Sequence, residues 1–144
     1  MQKTFDSDIA HGQFEVSCQG QIIFVKLQGS FNCAAIKAYA QAVKDEIMSF
    51  EGKSFAMLVN DIQVEGGTPE AYDALNDYNA WLNDQAIIAK AFILSSIALK
   101  DIIINRTPEL QRQNIAFFEH SEEAIAWLEE QLQLEHCAVT NSRK

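Results

Sequence analysis

Glycine is scarce in this chain. Its 144 residues include six, at Gly12, Gly20, Gly29, Gly52, Gly66 and Gly67. No three of them form G-x-G-x-x-G, and no G-x-x-x-x-G-K followed by Ser or Thr occurs. Neither nucleotide-cradling loop is therefore present. Cysteine is scarcer still: Cys18, Cys33 and Cys137, with no C-x-x-C pair. An odd count without such a pair argues against a disulfide framework and a zinc site. Cys18 and Cys33 lie among apolar neighbours and are expected to be small core residues. Cys137 is expected to be a loose thiol. Basic residues are outnumbered, 11 Lys and Arg against 20 Asp and Glu, for a net charge of -9 and a pI near 4.7. So acidic a surface repels phosphate backbones, which argues against a nucleic-acid partner. Long apolar runs are also missing. The nearest approach, Ala86 to Ile104, is interrupted by Lys90, Lys100 and Asp101. Each charge costs about 2.5–3.5 kcal/mol at a bilayer centre, so a strand followed by an amphipathic helix fits better than a span. Met1 to Gln13 has no apolar core of the kind a signal peptide needs, and a cytoplasmic location is the expectation.

What is present is an ordinary globular composition, 48% apolar. At roughly 100–200 residues per domain, one domain is expected. A chain of this size buries enough surface to fold without a staple. Residues 1–12 read as a flexible arm, 13–133 as the domain and 134–144 as a polar, frayed tail.

Along the domain the patterns alternate. Phe14, Val16 and Cys18 alternate with polar neighbours, the period of a half-buried strand. A turn at Gln19-Gly20 joins it to a more buried strand, Gln21 to Gln28, to make a hairpin. The Gly29–Asn32 stretch breaks that strand, and Asn32 is placed to cap a helix. Ile36, Ala40, Val43, Ile47 and Phe50 then recur at helical spacing, with Gly52 as a stop. Ser54 to Asn60 reads as a short buried strand and Asp61 to Gly67 as a loop. Thr68-Pro69-Glu70 is a helix start, followed by the stripe Ala71, Leu75, Tyr78 and Leu82. Ile87 to Leu94 is a buried strand, Ile97 to Ile104 a short helix, and Pro108 forces a break. Asn114 to Phe118 is the last strand, and Ser121 caps the last helix. The order is ββαβαβαβα: a single α/β domain with a mixed, mostly parallel sheet of four to five strands and flanking helices.

The opening hairpin and the closing run Phe117-Phe118-Glu119-His120-Ser121-Glu122-Glu123-Ala124-Ile125-Ala126-Trp127-Leu128 resemble the SpoIIAA-like family. That family sits within the STAS domains, and it is also described as similar to CRAL-TRIO lipid-transfer domains. The resemblance spans roughly Gly12 to Leu132. It implies a non-catalytic domain with helices packed on a four- or five-stranded sheet. Anti-sigma-factor antagonists of this group carry a phosphorylatable serine in an Asp-Ser-Ser-Gly-type turn after the third strand. The corresponding stretch, Asp61 to Pro69, departs from that pattern, and its one hydroxyl is Thr68. Thr68 is thus the phosphorylation candidate, against a plain capping role. Nearby Glu65 and Glu70 oppose a phosphate there.

Catalysis finds little footing. His11, His120 and His136 fall in an arm, a strand end and a tail. None shares one expected helix with a second ligand type at the spacing a metal site needs, so no metal site is expected. No G-x-S-x-G elbow occurs. No cofactor is implied. The acids Asp61, Glu65, Glu70, Asp73, Asp77 and Asp84 fall in a stretch without Lys or Arg, which reads as a solvated face. Lys90 to Gln113 is the opposite: Lys90, Lys100, Arg106 and Arg112 against Asp101 and Glu109, a local balance of +2 that leaves -11 elsewhere. This positive island coincides with the most apolar helix. An apolar helix with cationic flanks suits an interfacial helix or the lid of a lipid pocket. The leading expectation is therefore a hydrophobic small molecule or lipid as ligand, with peripheral membrane contact. Tyr72, Trp81, Ile97, Leu99, Lys100, Ile103 and Arg106 are the candidate ligand- or membrane-facing residues. The pocket would lie between the Ile97–Ile104 helix and the Tyr72–Trp81 helix. The alternative is a protein-interaction switch like the anti-sigma-factor antagonists, with a protein partner or a homodimer.

Overall fold

The computed structural model describes residues 11–142, with side chains described as far as Cys137. Of the expected arm, His11 and Gly12 fall within these residues and the rest lies outside them.

Strands β1 (Gln13–Gln19) and β2 (Ile22–Phe31) form the antiparallel hairpin, turning at Gly20 with φ +59°. Helix α1 (Cys33–Met48) follows. Then come β3 (Phe55–Gly67), α2 (Pro69–Leu82), β4 (Ile87–Ile93) and α3 (Ile97–Arg106). A 3-10 turn (Pro108–Arg112), β5 (Ile115–Phe118) and α4 (Ser121–Ser142) complete the chain. The five strands lie side by side in sequence order, and β2 to β5 run parallel.

Sequential order has a consequence. Right-handed crossovers put every connecting helix on the same face. Accordingly α1, α2 and α3 share one core with Ile23, Val25, Met57, Val59 and Phe92. Helix α4 follows the last strand and covers the other face, where Ala124 and Leu128 meet the small residues Ala56, Ala89 and Ala91. Alternate residues of β3 and β4 thus serve two cores, which is why both strands read as continuously apolar.

Two expectations are corrected. Strands β2 and β3 do not stop at Gln28 and Asn60. They stay paired as far as Phe31 and Gly67, with register shifts after Lys26 and Gly29. The polar run from Asp61 is therefore strand, not loop. Cys18 is exposed and Cys33 half-buried, where the sequence pattern places both in the core. Cys18 is exposed because β1 is an edge strand whose far end reaches beyond the cover that Phe14 and Val16 receive, and Cys33 is the first residue of α1, ahead of its buried stripe. Helix α4 ends at Ser142.

Candidate functional site

Ligand sites in parallel sheets form beyond the carboxyl ends of the strands. Here β2 and β3 both project past the sheet's centre, each leading into a capped helix. The Asn32 carboxamide oxygen accepts from the Ala35 and His11 amides at 3.0 Å each. The Thr68 hydroxyl accepts from the Ala71 amide at 3.1 Å. Between these two helix starts and α3 lies an open cleft of about 1020 Å³. Its walls include Phe31, Glu65, Gly67, Thr68, Ile102 and Arg106. A methyl on Gly67 would approach the Phe31 carbonyl oxygen to 3.2 Å, so a glycine there keeps the two strands together. Arg106 crosses from α3 to α2, donating to the Pro69 carbonyl at 3.2 Å and to Asp73 Oδ1 at 3.3 Å over the Tyr72 ring.

Beneath the cleft is a second, much smaller space of about 40 Å³. Leu99 and Ile103 of α3 roof it, with Ala71, Tyr72 and Leu75 of α2 on one side. It shares Phe31, Gly66, Gly67 and Tyr72 with the cleft. One polar side chain reaches it, Asp61, which is 4% exposed and whose Oδ1 has no hydrogen-bond partner. Burial pushes that carboxyl up to about 7, with Lys90 pulling the other way.

Lys90 is the other half of the arrangement. It is buried, and burial brings its ammonium down to about 7, opposed by Asp61. Its Nζ donates to Asn79 Oδ1 at 2.8 Å, an oxygen that also accepts from Gln113 at 3.2 Å. Tyr78 and Tyr39 lie alongside, edge to face at 5.5 Å, both with phenols raised by burial. Such perturbed groups mark candidate functional sites. Lys90, however, is 2% exposed and lines neither the cleft nor the small cavity.

The structure divides the sequence candidates. Tyr72 and Arg106 meet at the cleft, while Leu99 and Ile103 face the small cavity. Ile97, 77% exposed, and Lys100 border a different depression near Phe117 and His120. Lys100 lies 4.8 Å over the Phe117 ring. Trp81, expected beside α3, lies instead under Lys44 of α1, whose ammonium is 5.0 Å from the ring. The space between α2 and α3 is the small cavity, and its volume of about 40 Å³ is a small fraction of the roughly 300–1,000 Å³ a drug-sized ligand needs. The positive island also shrinks. With Lys90 buried, three cations face two acids, and Arg106 and Arg112 are each paired with a carboxylate. Sequence reasoning missed Asp61 and Lys90 as a pair. Lys90 is the one charge in the apolar strand β4, which was the available signal; Asp61 opens the polar half of β3 and carried none.

No protein-family profile and no curated protein matches the chain. Solved structures do. An anti-sigma factor antagonist from Mycobacterium paratuberculosis matches with a TM-score of 0.60 at 11% identity, over 88% of this chain and 99% of its own. An uncharacterized protein from Shewanella loihica with a SpoIIAA-like fold matches at 0.57 and 14%, over 87% and 99%. The anti-sigma factor antagonist SpoIIAA, in its unphosphorylated form, matches at 0.54 and 11%, over 81% and 98%. The fold is SpoIIAA-like. Within a SpoIIAA-like domain the cleft occupies the mouth formed by the starts of α1 and α2. Thr68 is exposed there but engaged as a cap. The similarity to CRAL-TRIO domains finds no support among these structures, and neither does a lipid ligand. No helix among the described residues is long and apolar enough to cross a membrane.

Proposed function

We propose that this chain is a non-catalytic protein-interaction module that docks a partner protein at the cleft between the starts of α1 and α2 and helix α3. The observation that carries it is the cleft itself, on a fold whose solved neighbours include two anti-sigma factor antagonists. It is open, not enclosed, and mixes the exposed apolar Ile102 with polar groups from three elements. That is the character of a protein-binding surface, an apolar centre within a polar rim. The lipid reading loses its support because the space under α3 has no room for an acyl chain. Phosphate on Thr68 would replace the capping hydroxyl and bring charge near both Arg106 and Glu65. It serves as the switching arm of the proposal, which the Thr68→Asp variant probes.

The test is affinity capture with quantitative mass spectrometry. It compares wild type, Ile102→Asp, Arg106→Glu and Thr68→Asp, with the exposed Lys53→Gln as control. At least one protein should be held by wild type and control and lost from the Ile102 and Arg106 variants. The purified pair should then show at least a tenfold loss of affinity. If no protein distinguishes those variants from wild type, the docking reading fails. A co-purified lipid or flotation with liposomes would restore the lipid reading in its place.

A further inference from the structure

The small cavity and the carboxyl that enters it are not used by the docking surface. A buried water takes about two to four polar partners. This cavity presents Asp61, and its other walls are aliphatic, aromatic or glycine. It is built to be dry, and a dry wall suits a protonated carboxyl. An ionised one there lacks the hydrogen bonds it needs, since Oδ1 has no partner. Something must then yield. The elements around Asp61 are unequal. Helix α1 contributes Tyr39, α2 contributes Tyr72, Tyr78 and Asn79, and β4 contributes Lys90, whose ammonium is the one charge acting directly on Asp61. Helix α3 contributes Leu99 and Ile103, its two buried residues, and no charged or titratable group. Its Lys100, Asp101 and Arg106 lie half-buried or exposed, with Lys100 over Phe117 and Arg106 over Tyr72. The roof is therefore the weakest wall.

We propose that Asp61 is a proton-operated latch for helix α3: the neutral acid lets Leu99 and Ile103 seat over the cavity, and the carboxylate lifts them to admit water. On opening, Asp61 releases one proton to solvent or to the Lys90 amine. Because the cavity and the cleft share four wall residues, including Gly67 and Tyr72, lifting α3 reshapes the floor of the cleft. The latch is read in the free protein, so it stands whether or not a partner docks there.

The test is an NMR titration from pH 5 to 9. It follows the Asp61 carboxyl carbon and the backbone amides of α3. A His11→Gln background removes the histidine that lines the cleft. The carboxyl and the α3 amides should share one midpoint near neutrality. Lys90→Met should raise that midpoint for both together, because it removes the cation that favours the carboxylate. Asp61→Asn should abolish the α3 transition. The latch is overturned if Asp61 titrates in the ordinary carboxylate range. It is equally overturned if the α3 amides show no transition, or keep it in Asp61→Asn. Should Asp61→Asn fail to fold, the joint movement of both midpoints in Lys90→Met decides.

Discussion

Helices α1 and α3 are both crossovers on the same face of the sheet, yet they are anchored very differently. Helix α1 spans 16 residues and buries six, from Ala35 to Ile47. Helix α3 spans 10 and buries two, Leu99 and Ile103. Helix α1 sits against β1, β2 and α2, whereas α3 leans on α2 and the 3-10 turn. The difference lies in periodicity. In α1 the apolar residues follow a stripe. In α3, Ile97, Leu99, Ile102, Ile103 and Ile104 surround the helix, so part of that surface stays exposed. One crossover is scaffold. The other is a wall that can move, and it closes one side of the cleft.

This contrast can be broken by substitution. The largest effect is expected in α1. Tyr39→Ala should destabilise by about 3–5 kcal/mol in denaturant unfolding, since the ring is buried between Phe14 and Tyr78.

Stability should also depend on pH. Asp61 sits near 7 in the folded chain against an ordinary 3.8, so the native state holds its proton more tightly and stability falls as pH rises between them. Lys90 sits near 7 against 10.5, so the native state sheds its proton sooner and stability rises between those values. The pair together contributes a dip near neutrality. Thermal unfolding from pH 5 to 9 should show it, and Lys90→Met should remove the alkaline limb.

Leu99→Ala should cost less than Tyr39→Ala, about 2 kcal/mol, because a weakly held helix can settle into the space. Thr68→Ala removes the α2 cap and should cost about 1 kcal/mol by the same assay. Ile97→Ser, at an exposed position of α3, should change stability by less than about 0.5 kcal/mol.

The alternation of strand and helix is legible because burial writes it into the sequence. Ile22–Leu27, Phe55–Val59 and Ile87–Ile93 are apolar runs too short for helices, and Thr68-Pro69 and Ser121 mark the starts of α2 and α4. The ends are harder. The paired extension of β3 past Asp61, from Ile62 to Gly67, alternates Ile62 and Val64 with polar residues, but it is largely exposed and looks like a loop. The edge position of β1, which exposes Cys18, depends on strand order and not on local pattern. The site is legible in part. Tyr72 and Arg106 line the cleft and Leu99 and Ile103 the small cavity, whereas Ile97 and Lys100 border a separate depression and Trp81 faces α1. Lys90 reads as surface charge because periodicity marks a residue's side of a strand, not the depth of what covers it. Its partner Asn79 and the carboxyl of Asp61 come from other elements and meet only in the fold.

The measurement that tests the contrast most directly is native-state hydrogen exchange at one pH, read amide by amide. If α3 is a movable wall, its amides exchange through local opening, with protection at least about 100-fold weaker than in α1. Equal protection in the two helices would contradict the account.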